Sequence, residues 1–121
     1  MSGNQWRAAI VAAFFALSLS WIAFVPPGEA ADVTRGGGIY KMMCRKCHGK
    51  KGKGDGPKGK ALKKKPADYT KPGFFDEHPD AELKKVVIEG KKPMPSFRKK
   101  LKDKDVDDVI AYIKTLAGGG K

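Results

Sequence analysis

The chain has 121 residues, with 25 Lys and Arg against 13 Asp and Glu and a formal net charge of +12 at pH 7. A chain this short holds one small domain with a modest core, and such a domain often needs a staple. The charge could serve nucleic acid, an anionic membrane or an acidic protein, but no aromatic-plus-basic stacking pattern supports the first.

Met1 to Arg7 is polar and carries one positive charge, Ala8 to Val25 is an unbroken apolar or small-residue run, and Pro26-Pro27-Gly28 ends it. Gly28 and Ala30 stand at the −3 and −1 positions of a cleavage site. This order predicts a secretory signal peptide over residues 1–30. The alternative is an uncleaved N-terminal membrane anchor, because the run is at the lower edge of spanning length. Residues 31–121 then form the functional domain, exported to the periplasm, with the net charge still +12.

The spacing predicts an all-α domain without repeats or strands. The first helix is expected over residues 33–46, with Ile39, Tyr40, Met43 and Cys47 on one face. Gly36-Gly37-Gly38 is costly there, at about 1 kcal/mol per Gly. Either a second helix approaches the bare backbone, or the helix start frays. Residues 49–65 read as a Gly- and Lys-rich loop lacking the spacing of a P-loop, and the prolines up to Pro72 argue against a long helix. A second helix is expected over residues 79–89, with Pro79 in its first turn and Gly90 as the stop. Residues 91–97 form a proline-stiffened loop. The last helix is expected over residues 104–116, with Asp103 as N-cap and Val106, Val109, Ile110, Ile113 and Leu116 as a helical stripe.

Cys44-Arg45-Lys46-Cys47-His48 reads C-x-x-C-H, the attachment signature of c-type haem. Each thiol can add across one vinyl group, and the histidine is then held under the iron as proximal ligand. A structural zinc site wants four ligands, and only His78 could join these three. A thioredoxin-like dithiol would follow a strand, and none precedes Cys44; a plain Cys44–Cys47 disulfide is the bland alternative. For the sixth position, Met42 and Met43 precede Cys44 on the proximal side, and His78 reads as a helix-start residue. Met94, between two prolines and far along the chain, can present a thioether from the opposite face.

With these residues in place, the chain resembles the class I monohaem c-type cytochromes of bacteria over about residues 33–117. Gly36 and Tyr40 match that family's glycine and aromatic in the first helix, and residues 108–113 match its last-helix motif. The resemblance implies a cytochrome c fold in which these two helices cross near a right angle. It also implies that the Pro57 carbonyl accepts a hydrogen bond from His48 Nδ1, and that Tyr69 and Phe97 help to bind the cofactor. The dense lysines depart from the family pattern.

A His48/Met94 pair closes the iron, which disfavours catalysis and leaves one-electron exchange; the thioether and a dry pocket push the potential upward. The expectation is a monomeric periplasmic electron carrier with one covalent haem c and acidic redox partners (a reductase, oxidase or dehydrogenase). No nucleic acid is expected, and membrane contact is expected only through an uncleaved N-terminus. The alternatives are a dedicated haem subunit of a periplasmic dehydrogenase or terminal reductase, and an open-site sensor or haem enzyme if Met94 does not bind.

Overall fold

The computed structural model describes residues 28–118; the expected signal or anchor segment falls almost wholly outside them. Every regular element among the described residues is helical, apart from one isolated bridge between Lys91 and Met94. In chain order they are α1 (Val33–Ile39), a π-helical turn (Tyr40–Cys44), α2 (Arg45–His48), α3 (Pro57–Ala61), α4 (Phe74–Glu77), α5 (Asp80–Glu89) and α6 (Asp103–Ala117).

The first helix is thus not the continuous rod expected over residues 33–46. The Asp32 side chain caps it by accepting the Arg35 N–H at 3.0 Å, and the helix then widens. The Arg45 amide donates to the Tyr40 carbonyl, five residues back. One such insertion rotates everything after it relative to α1, and insertions of this kind recur at functional sites. Here it falls directly before the two cysteines.

The crossing of α1 and α6 organises the core, and it explains the glycine triplet position by position. A Cβ on Gly36 would lie 1.9 Å from the Asp108 carbonyl oxygen of α6; one on Gly37 would meet the Tyr112 ring at 2.9 Å; one on Gly38 would meet nothing within 4 Å. Close approach therefore accounts for Gly36 and, through a side chain, Gly37, while Gly38 is free of contact. The crossing is pinned by Asp108, which is fully buried. Its carboxylate accepts the Asp32 N–H at 2.7 Å, Arg35 at 3.1 Å and Lys104 at 3.3 Å.

Helix α6 begins one residue earlier than expected, with Lys102 rather than Asp103 at the capping position. The cap works in reverse: the Lys102 backbone N–H donates to the Asp105 carboxylate at 2.8 Å. Pro79 likewise precedes α5 instead of lying in its first turn. The apolar stripe of α6 feeds two clusters. Tyr40, Tyr69, Val109 and Ile113 form one; Phe97, Leu101, Val106 and Ile110 form the other, with Met43, Val87 and Met94 against it. Ile39 and Leu83 touch both.

Candidate haem-attachment site

Cys44 closes the π turn and Cys47 lies in α2, both as free, half-buried thiols. Burial, and then the neighbouring Cys47, push the Cys44 thiol up to about 11. A redox-active dithiol needs the opposite shift, so the thioredoxin-like alternative loses its chemical basis. Among the described residues, no three His, Cys, Asp or Glu side chains are grouped to hold a metal ion, so the zinc alternative lacks its ligands.

His48 is buried at the end of α2. Its ring stacks on Tyr69, with centroids 5.1 Å apart and planes within 13°, and the Tyr69 hydroxyl lies 3.5 Å from Nε2. Burial lowers the imidazole pKa from its ordinary value, opposed in part by the Ala67 backbone. Burial thus favours the neutral imidazole, the form that can ligate a metal. Nδ1 is buried without a hydrogen-bond partner. The expected bond to the Pro57 carbonyl is not formed in this structure, where Pro57 stands at the first position of α3 and the ring lies against Tyr69.

The loop after the motif is tied back onto it through backbone. Gly54 donates to the His48 carbonyl at 2.8 Å and Gly56 to the Cys47 carbonyl at 3.1 Å. Gly49 turns away from α2 with φ of 86°, and its carbonyl accepts the Tyr40 hydroxyl at 2.7 Å. Tyr69 reaches His48 because its own N–H donates to the Gly52 carbonyl at 2.8 Å. Next to it the Asp68 carboxylate accepts the Thr70 N–H and hydroxyl at 2.9 and 2.6 Å. The Asp-x-Thr pattern is the sequence signal for that turn; the tyrosine stack itself left no such signal.

Met94 sits in a turn closed by two backbone bonds, Met94 N–H to the Lys91 carbonyl at 2.9 Å and Lys91 N–H to the Met94 carbonyl at 3.1 Å. It is half-buried against the cluster of the buried Phe97, whose N–H is held by the Val87 carbonyl at 3.0 Å. His48 thus lies beside the Tyr69 cluster and Met94 on the Phe97 cluster. His78 is occupied elsewhere: Nδ1 is 3.1 Å from Glu82 and the ring is 4.7 Å from that of Phe74. Met42 points outward, 69% exposed. Two neighbouring free thiols followed by a buried imidazole fit the donor set that a covalently bound haem requires.

Residues 31–113 match the family model described as cytochrome C oxidase, cbb3-type, subunit III. The chain is 36% identical to the cytochrome c6 of Nostoc sp. over 97 residues, which covers 80% of this chain and 82% of the relative. The chain belongs to the c-type cytochromes. It is also 35% identical to the cytochrome c6 of Anabaena variabilis over 69% of this chain and 90% of the relative. The corresponding figures for Limnospira maxima are 33%, 74% and 98%. As a class I c-type cytochrome, the chain carries one covalently bound haem c and works as an electron carrier between redox partners, not as an enzyme.

Proposed function

We propose that this cytochrome is a diffusible, exported carrier whose Cys44 and Cys47 supply the two thioether links, with His48 and Met94 as the axial ligands. The haem supplies one-electron exchange between ferric and ferrous iron. The observation that carries the ligand assignment is the pairing of a buried His48 with a Met94 fixed in its own hydrogen-bonded turn on the other cluster. Tyr69 orients the imidazole by stacking, and Phe97 and Leu101 exclude water from the methionine side. A soft thioether and an apolar wall both favour the less charged ferrous state, so these residues hold the potential high. Pro57 acts indirectly, by starting the short helix that follows the loop clamped to Cys47 and His48.

The signal-like order of residues 1–30 supports export to the periplasm, with residues 31–121 as the working domain. No helix among the described residues is long and apolar enough to cross a membrane. The cytochrome c6 relatives are matched over most of their own length, which favours a free-standing carrier over a dedicated subunit of a larger enzyme. Lys91, Lys92, Lys99 and Lys100 flank Met94 and suit an acidic redox partner. The test is Met94→Ala. Its reduction potential should fall, and its ferric form should bind added imidazole readily; an unchanged potential would remove Met94 from the iron.

A further inference from the structure

The bond that must be cut to free the domain, Ala30–Ala31, lies on a segment that the folded domain already holds. On its C-terminal side Asp32 is fixed three ways. Its N–H donates to the fully buried Asp108 carboxylate at 2.7 Å, its own carboxylate accepts the Arg35 N–H at 3.0 Å, and its carbonyl accepts the Gly36 N–H at 2.9 Å. Helix α1 starts at the next residue, Val33. Ala31 itself lies against α6, where it lines a cavity of about 340 Å³ with Asp107, Ile110, Ala111 and Lys114, and with Asp80 of α5.

On the N-terminal side one lysine of α6 reaches two residues. Lys104 Nζ is 3.4 Å from the Ala30 carbonyl oxygen, 3.4 Å from the Glu29 carboxylate and 3.3 Å from that of Asp108. Ala30 and Ala31 stay exposed, so the bond is tethered rather than buried. A peptidase that takes its substrate as an extended strand needs several free residues on each side of the bond, and a folded chain supplies them only by local opening. Only Ala31 separates this bond from the residue that caps α1. Opening must therefore pull Asp32 off Asp108, which leaves a buried carboxylate without its closest partner. It must also take from Lys104 the Ala30 carbonyl, the group that hydrolysis attacks.

We infer that residues 29–32 form a strap that shields the chain's own cleavage site, so that the leader has to be removed before the strap seats on α6. The inference rests on the cleavage after Ala30 that belongs to the proposed function. Hydrolysis adds water across the bond: the leader departs with the Ala30 carboxylate, and Ala31 keeps an α-ammonium. A chain cut before α1 meets α6 becomes the diffusible carrier. A chain that folds first keeps the apolar run of residues 8–25, and with it a membrane attachment. The order of two events, and not a second gene product, then decides between a free and a tethered cytochrome.

The test uses the haem-loaded, full-length precursor, accumulated in exporting cells whose signal peptidase is inhibited and extracted in detergent. Its cleavage by purified signal peptidase is timed beside that of a variant with Gly-Ser-Gly-Ser inserted between Ala31 and Asp32. The insertion leaves residues 28–31 and the Asp32 cap unchanged but frees the bond from α6. The variant should be cut roughly 10- to 100-fold faster, the range set by breaking one hydrogen bond to a buried charge. An unaltered haem spectrum and Tm show that the variant is folded. In the parent precursor the Asp32 amide should be protected from hydrogen exchange. Equal cleavage rates, no cleavage of either precursor, or an unprotected Asp32 amide overturns the proposal. The mass of the mature protein from untreated cells tests the underlying reading separately: a chain that does not begin at Ala31 refutes cleavage after Ala30, whatever the two rates, and removes the proposal with it.

Discussion

Alanine at each position of the glycine triplet separates the two physical effects that meet there. At Gly36 the new methyl would stand 1.9 Å from the Asp108 carbonyl oxygen, 2.4 Å from its carbon and 3.0 Å from the Val109 nitrogen. All three are backbone atoms of α6, so no side chain can swing away. Ordinary contact needs about 3.5 Å, and α1 and α6 must part by more than about 1 Å, which also loosens the Asp108 bonds and the Tyr40–Tyr112 contact at 5.3 Å. Overpacking of this kind costs about 1–3 kcal/mol, against a helix-propensity gain of about 1 kcal/mol for Gly to Ala. At Gly38 only the gain remains. Gly36→Ala should therefore be less stable than the parent and Gly38→Ala more stable. The propensity gain is common to both, so the two should differ by the overpacking cost, about 1–3 kcal/mol, or roughly 5–20 °C in Tm for a domain this size. Gly37→Ala should fall between, because the Tyr112 ring can yield. Thermal unfolding of the three haem-loaded variants, followed by circular dichroism, measures this. Equal stability for Gly36→Ala and Gly38→Ala would refute the close crossing.

Asp108 makes the crossing acid-sensitive. The Asp32 amide foremost, then Lys104 and Arg35, hold its carboxyl below the ordinary aspartate value. A depressed folded-state pKa contributes stability that is fully present above the unfolded value near pH 4 and is lost as pH falls through the folded one. Asp108→Asn should lower Tm at pH 7 and flatten the Tm profile below about pH 4; a profile parallel to the parent's would mean another carboxylate governs the acid limb. At the attachment site, Cys44→Ser and Cys47→Ser should each weaken or abolish the haem that stays with the chain on a denaturing gel, as seen by haem staining. Full retention in both single variants would contradict the thioether assignment.

The chemistry was more legible in the sequence than the path of the backbone. Cys44, Cys47 and His48 announce themselves by spacing, and the α6 stripe by its period, because both are local patterns. The π turn was invisible, since an inserted residue leaves the apolar positions of α1 and α2 each plausible for one continuous helix. Helices α3 and α4, of five and four residues, are too short to show a period. The role of Asp108 depends on Asp32, a residue 76 positions away, and the Tyr69–His48 stack depends on a bond to Gly52. Neither could be read from local sequence.

Optical spectra of the purified protein in the oxidised and reduced states, repeated after denaturation and solvent extraction, test the central claim most directly. The expected result is a low-spin, six-coordinate iron in both redox states and a porphyrin that stays with the polypeptide after unfolding. A porphyrin that passes into the organic phase would contradict covalent attachment at Cys44 and Cys47, and a high-spin ferric spectrum at neutral pH would contradict the closed His48/Met94 pair.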